Sequence, residues 1–439
     1  MPDQHPLGSD QQRSLWMETG AKAPALPSLD GSVEADVAIV GGGFTGLVCA
    51  LRLAEHGTRV ALLEAEAVGN GGSGRNGGQV IPGLKHDPRE LTAQFGQEAG
   101  ERMIALAGSA AERVFRLIAK YGIACNAEQN GWIQPAHAAS ALATLHARAE
   151  DWARRGAPVE ILDRGQTAER LGTDFYHGAW IDRRAGVVQP LSYARGLAAA
   201  AVSAGAAIFQ YSPALRIDRA GGRWTIAAPR GELRAAQAVL ATDAYSGELW
   251  PELRRGLVAL NSVIVATDPL PEAVRARVLP CRLPVSETRK LVYYYRLDTN
   301  GRFLMGGRGN VEGIVPDHVF AMLRRVAERL FPALKGMRWP YRWWGQVGFT
   351  MDWLPHLVEL SHDLWTSVGY CGRGVAMATA MGEVLANRLL GGQLAAAGDP
   401  ALDFPVTPLA RVPLWSFRKL GVASAIGYFR VREALGVPA

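Results

Sequence analysis

A chain of 439 residues with 48% hydrophobic and 20% charged side chains has the length for about two domains and the apolar content to bury large cores. Its net charge of +6 comes without a dense Lys/Arg run or a recognisable nucleic-acid module, which argues against a nucleic-acid partner. Four cysteines, Cys49, Cys125, Cys281 and Cys371, are scattered without CxxC or Cys/His spacing, so neither a metal site nor a disulfide framework is expected.

No apolar run approaches the ~20 residues needed to cross a bilayer. The polar start, Met1 to Arg13, lacks the apolar centre of a secretory signal, so a cytoplasmic protein is expected. Residues 1–32, rich in Pro, Gly, Ser and charge, read as an irregular arm anchored by Leu15 and Trp16.

Asp36–Val40 is a short apolar run of buried-strand type, and it stops at Gly41-Gly42-Gly43-Phe44-Thr45-Gly46. In this GxGxxG corner Gly41 permits a tight turn, Gly43 lets the backbone approach a pyrophosphate, and Gly46 lets the following helix pack closely. The helix, predicted over Phe44–Glu55 and ended by Gly57, points its free N–H groups and positive dipole end at that pyrophosphate. Thr58–Leu63 is a second apolar strand. Glu64 follows about 20 residues after the glycines, where an acid can accept hydrogen bonds from a ribose.

A second glycine-rich loop, Val68 to Gln79, interleaves Ser73, Arg75 and Asn76 with dense backbone N–H groups suited to an extended anionic or polar ligand. From Asp87 to about Ala153 apolar residues recur three and four apart, as in Met103–Tyr121 and Leu142–Arg155, with a short strand at Gly131–Ile133. No partner of metal-ligand spacing accompanies His137 or His146, so both read as ordinary surface residues. Gly178–Pro190 reads as a strand and turn leading into a helix, Leu191–Ala204. Ala206–Phe209, Arg223–Ile226 and Ala238–Thr242 read as further strands.

From Arg254 the strands lengthen and become aromatic. Lys290–Arg296 and Arg302–Gly306 form a predicted hairpin about Asp298-Thr299-Asn300-Gly301, and a helix follows over Val319–Phe331. The strand Leu364–Val368 then feeds Gly369–Gly374 and a helix over Val375–Leu390, repeating the logic of the first corner. Trp415, Phe417, Tyr428 and Phe429 mix with Arg418, Lys419, Arg430 and Arg432 in the tail, a basic aromatic pattern that either packs on its own protein or touches a membrane surface.

Taken together, the Leu-Trp anchor, Ala35–Gly46, Gly72–Gln79, Ala241-Thr242-Asp243-Ala244-Tyr245, Gly301–Gly307 and Gly369–Val375 resemble the D-amino-acid-oxidase-like FAD-dependent amine oxidoreductases, and within them the γ-glutamylputrescine oxidoreductase and L-pipecolate oxidase branch. The resemblance covers about residues 14–435. It implies an α/β fold: a Rossmann-type FAD-binding domain of the glutathione-reductase kind (33–88, 157–250 and 340–410). Into this is inserted an α+β substrate domain on a mixed or antiparallel sheet (89–156 and 251–339), and a basic aromatic tail (411–439) follows.

By resemblance, FAD would be held noncovalently by Gly41, Gly43, Phe44, Thr45 and Gly46, with Glu64 and Ala65 at the adenosine ribose and Ala214 at the adenine side. Ser73, Gly74, Arg75, Asn76, Gly77, Gly78 and Gln79 would run along the flavin, with Ala241, Thr242 and Gly345 nearby. Gly372, Arg373, Gly374, Val375, Ala376 and Met377 would cover its pyrimidine end, where the helix dipole meets the charge of the reduced ring. Candidates for the substrate face are Arg75, Asn76, Tyr293, Tyr295, Arg296, Arg308, Gln346 and Arg373.

Three departures from the family pattern carry information. Relatives that oxidise amino acids place an arginine three residues before the threonine of Thr-x-Asp-x-x-Pro, here Val347, and a second one at the position of Gly372. A bidentate arginine clamp is how a protein fixes an α-carboxylate, so its loss argues against simple α-amino acids unless Arg296, Arg308 or Arg373 rebuilds it. Relatives that tether flavin use a cysteine near Gly345. The implied reaction is oxidation of a primary or secondary amine, with dioxygen or another electron acceptor, and Arg308 or Lys290 as a charge that helps dioxygen accept electrons. A dehydrogenase passing electrons to quinone and a flavoprotein that only binds are the alternatives.

Overall fold

Gly31–Val40 is the strand on which the first sheet is laid in the computed structural model, which describes residues 12–396, 399 and 402–434. The start of the expected arm (1–11), the end of the expected tail (435–439) and the side chain of Arg430 lie outside the described residues. Gly31–Val40 pairs in parallel with Val60–Leu63 on one side and Gly231–Leu240 on the other. Ala207–Phe209 and Leu364–Val368 extend the parallel array outward, and antiparallel His356–Ser361 closes one edge. Strands covered on both faces need near-continuous apolar runs, which Val37–Val40 and Val60–Leu63 supply.

Phe44–Glu55 packs between Pro190–Ser203 and Gly374–Leu389. A Cβ at Gly382 would lie 2.7 Å from the Thr45 carbonyl oxygen, so the close crossing of the two helices requires glycine there. Pro88–Tyr121 is one long helix, kinked at Gly96 where φ is +78°, and it packs on Gly374–Leu389. There the buried Arg113 pairs with the buried Glu383 at 2.7 Å and with Asp399 at 2.7 Å.

The second sheet runs Tyr341–Phe349, Val258–Pro269, Arg302–Val311, Tyr294–Leu297, Val285–Ser286, Trp132–Pro135, Ala179–Asp182, Val159–Leu162. It is antiparallel except where Val285 pairs with Ile133. Asp317–Leu330 covers one face with Phe320, Leu323, Ala327 and Leu330 buried against it. The architecture is therefore an α/β Rossmann-type domain carrying a second, mixed-sheet domain.

The division of the chain differs from the expected one in three places. Val159–Leu162, Ala179–Asp182 and Tyr341–Phe349, expected with the nucleotide-binding part, pair in the second sheet. Ala179–Asp182 pairs with Trp132–Pro135 and Tyr341–Phe349 with Val258–Pro269, both distant in sequence, and Val159–Leu162 joins the sheet through Ala179–Asp182; short strands do not announce such partners. The strand expected over Lys290–Arg296 begins only at Tyr294. Ahead of it the chain folds around Glu287, whose carboxylate accepts the Tyr293 N–H at 3.3 Å and pairs with Arg289.

The arm's anchor, Leu15–Thr19, is a short helix with Leu15 and Trp16 fully buried. At the other end a turn, Trp415–Phe417, leads to the helix Arg418–Ala434. Among the described residues no helix is long and apolar enough to cross a membrane.

Candidate active site

Three corners of the first sheet meet at the carboxyl ends of its parallel strands. In the first, Gly41 has φ +112°, and a Cβ on it would lie 2.6 Å from the Ala241 carbonyl oxygen. A Cβ at Gly46 would meet the Gly41 carbonyl oxygen at 2.0 Å, so this glycine sets how closely helix and strand approach. Glu64 accepts the Gly42 N–H at 2.6 Å and the Glu66 N–H at 3.0 Å, while burial raises its carboxyl above the usual range. A carboxylate offers about four lone-pair sites, so acceptor capacity remains for a ribose.

The second loop folds as a short helix, Gly72–Arg75. Ser73 Oγ accepts the Phe44 N–H at 2.9 Å, tying this loop to the first corner. Asn76 turns inward: its Nδ2 donates to Gly72 and Ser73 carbonyls, its Oδ1 accepts the Gly78 N–H, and its own carbonyl accepts the Trp16 indole N–H at 2.8 Å. Arg75 is engaged with the Asn70 carbonyl at 2.7 Å and Gln12 at 2.6 Å, and burial lowers its pKa. Both side chains brace the loop.

The late corner is held from two sides. Thr45 Oγ1 lies 2.7 Å from the Tyr370 hydroxyl, and the Asp243 carboxylate accepts the Gly369 N–H at 2.9 Å. Tyr245, on the same turn as Asp243, accepts the Gln346 N–H at 2.8 Å and lays its ring against Gly71 and Gly72.

These corners enclose one cavity of about 900 Å³. Of the expected cofactor residues, Gly41, Gly43, Phe44, Thr45, Glu64, Ala65, Ser73, Arg75, Asn76, Gly77 and Gln79 line it. So do Ala214, Ala241, Thr242, Gly345, Gly372, Arg373, Gly374 and Val375. Gly46, Gly74 and Gly78 sit one layer back: Cβ atoms there would strike the carbonyl oxygens of Gly41, Gly69 and Val188. Ala376 and Met377 are buried inside the helix Gly374–Leu389.

The match to known proteins follows this geometry. The family model described as FAD dependent oxidoreductase matches residues 36–388. The chain belongs to that family. The oxidoreductase is 31% identical over 435 residues, 98% of this chain and 100% of the relative, to γ-glutamylputrescine oxidoreductase of Escherichia coli (strain K12). Its fold is shared with glycine oxidase from Geobacillus kaustophilus (TM-score 0.69, 23% identity, 82% of this chain and 95% of that one). It is shared likewise with L-proline dehydrogenase from P. horikoshii (TM-score 0.68, 19% identity, 84% and 95%). The oxidoreductase is FAD-dependent, and its cavity fits that group. A helix N-terminus without a side-chain cap of its own faces the first corner, an acid ends the next strand, and the cavity is long enough to join three corners.

The far part of the cavity lies under the second sheet. Arg308, Gln346 and Arg373 line it. Tyr293, Tyr295 and Arg296 do not, which corrects the expectation for all three. Tyr295 is buried on the opposite face, its hydroxyl donating to Tyr176, and Tyr293 packs on the same core. Arg296 is buried over Trp16 and donates to the Val188 carbonyl, below Gly78. Tyr294 takes the place of its neighbours: its ring is wedged between Gly77 and Gly306, where Cβ atoms would come within 2.8 and 2.1 Å of it, and its hydroxyl meets Ser262 at 2.8 Å.

Around Tyr294 the wall is aromatic and cationic. Arg308 lies over Phe349, Lys290 over Trp353, and Arg373 over Trp132 at 4.9 Å. Burial lowers Arg308 and brings Arg373 down to about 10. Among the described residues neither guanidinium has a carboxylate within ion-pair distance. Lys85, Tyr245, Asp243 and Tyr294 are the residues that sequence reasoning passed over. Asp243 and Tyr245 stand in a segment already singled out, whereas no local signal marks Lys85.

Proposed function

We propose that this oxidoreductase oxidises a primary or secondary amine of the γ-glutamylputrescine kind, with Gly41, Gly43, Phe44, Thr45, Glu64, Ser73, Gly372 and Val375 seating noncovalent FAD. When bound, FAD supplies the acceptor for a hydride leaving the carbon beside the amine nitrogen. The imine so produced is hydrolysed by water to an aldehyde, and dioxygen is the final acceptor, giving hydrogen peroxide. The chain itself contributes position: Tyr294, Phe349 and Trp353 provide apolar walls for the amine's carbon chain, and Arg308 and Arg373 meet whatever anionic group it carries. The observation that carries the reading is the convergence of the three corners on one cavity whose far wall holds Val347 and Gly372 instead of an arginine clamp. The full-length relative supports the amine.

Anaerobic mixing with γ-glutamylputrescine, polyamines, N-methyl amino acids and cyclic imino acids tests this. Bleaching of the flavin by γ-glutamylated amines ahead of glycine is expected, and indifference to every amine would overturn it.

A dehydrogenase serving a membrane quinone is the second reading, favoured by the exposure of Leu414, Phe417 and Leu420 beside Lys419. Dye reduction without oxygen uptake would select it over the oxidase.

A further inference from the structure

Lys85 stands in the loop between Gln79–Val80 and Pro88–Tyr121, and it lines the cavity within reach of the late corner. The loop is pinned from behind. The Gly83 N–H donates to the Ala107 carbonyl at 2.8 Å, Gly83 has φ +83° and packs on Trp152, and Asp87 caps the long helix while holding Arg148. Lys85 is therefore presented by a fixed backbone.

Its surroundings are unusual for a lysine. The groups that face it are Arg373 and Cys371 from the late corner, Arg148 from the helix Leu142–Arg154, and Lys290 from the loop ahead of Tyr294. On its own loop, Asp87 is committed to Arg148 and to the helix cap. Among the described residues no carboxylate pairs with Lys85. Burial, and after it Arg373, bring its ammonium down to about 7.

An amine must shed a proton before the carbon beside its nitrogen can release hydride, and the cations of this wall oppose an incoming ammonium. We propose that Lys85 is the catalytic base that takes the proton from the substrate ammonium. In this step an N–H bond of the substrate breaks, a proton passes to Nζ of Lys85, the lone pair stays on the substrate nitrogen, and no electrons change hands. The proton later leaves Lys85 for water at the cavity mouth. This role rests on the amine reading above.

Two measurements on the FAD-loaded enzyme test it. First, the rate at which reductive methylation labels Lys85, followed by peptide mass spectrometry across pH, is expected to reach half its plateau near pH 7. A midpoint near the ~10.4 of an ordinary lysine would overturn the proposal.

Second, anaerobic flavin bleaching by an amine is followed across pH in wild type, Lys85→Met and Lys85→Arg. Both variants are expected to slow about 100-fold or more near pH 7.5 and to recover as the pH approaches the substrate's own ammonium value. Arginine preserves charge but not the neutral base, so restoration of the wild-type profile by Lys85→Arg would overturn the proposal, as would an unchanged profile in Lys85→Met. If wild type itself is bleached by no amine, the amine reading fails. If wild type is bleached and the variants follow it, only the role of Lys85 fails.

Discussion

The hydroxyl of Thr45, in the first turn of the helix after the early glycine corner, lies 2.7 Å from the phenolic oxygen of Tyr370, which opens the late one. Tyr370 donates onward to the Ser367 carbonyl at 3.0 Å, so its oxygen is the acceptor for Thr45. Two corners more than three hundred residues apart are fixed to each other by one buried hydrogen bond. Tyr370→Phe strands the Thr45 hydroxyl without an acceptor and is expected to cost about 1–3 kcal/mol, felt largely as weaker flavin retention. The check is the FAD dissociation constant by fluorescence quenching, which is expected to rise in Tyr370→Phe and in Thr45→Val alike.

Tyr294 and Tyr295 have opposite assignments despite being neighbours. Tyr294→Leu removes a ring from the cavity wall together with its packing on Gly77 and Gly306 and its bond to Ser262, and is expected to raise the amine concentration needed for half-maximal bleaching as well as to lower the melting temperature. Tyr295→Phe removes a buried hydrogen bond to Tyr176 and is expected to lower stability by about 1 kcal/mol while leaving bleaching intact. Thermal melts and anaerobic bleaching of the two variants separate the faces.

That pair also shows what was legible in the sequence and what was not. Alternation in Lys290–Arg296 says which residues share a face; it does not say which face is buried, and a one-residue choice exchanges every side chain. The helix Phe44–Glu55 was legible to the residue because its limits are local: a glycine turn before it and Gly57 after it. The placement of Val159–Leu162 and Ala179–Asp182 was not, since pairing with Trp132–Pro135 and each other is decided by tertiary contact. Lys85 reads as an ordinary loop lysine until the late corner and the helix Leu142–Arg154 are folded around it.

Arg113 and Glu383 hold the long helix Pro88–Tyr121 to Gly374–Leu389 from within the core. Removing Arg113 leaves the buried Glu383 with only its longer contacts to Arg52 and Arg116, both at 3.5 Å, so Arg113→Met is expected to destabilise by about 1–3 kcal/mol. Urea unfolding of wild type and variant gives the difference directly.

His137 lines the cavity with Nδ1 2.7 Å from the Thr288 hydroxyl, and burial, then Arg289, lower its pKa from 6.5 to about 4. The unfolded chain therefore takes up a proton here at a higher pH than the folded one does. Stability from a neutral His137 is fully present above pH 6.5, declines as pH falls toward 4, and does not decline further below it. In His137→Asn that part of the decline is absent, so the gap in urea midpoint between the two proteins is expected to narrow from pH 8 to pH 5.

Flavin content after denaturation tests most directly whether the three corners seat one nucleotide. Wild-type protein unfolded in acid or heat is expected to release equimolar FAD into the supernatant, and Gly46→Val, whose side chain would strike the Gly41 carbonyl, is expected to be purified nearly colourless. A colourless wild type, a different nucleotide in the supernatant, or a yellow pellet with flavin on the chain would contradict the account.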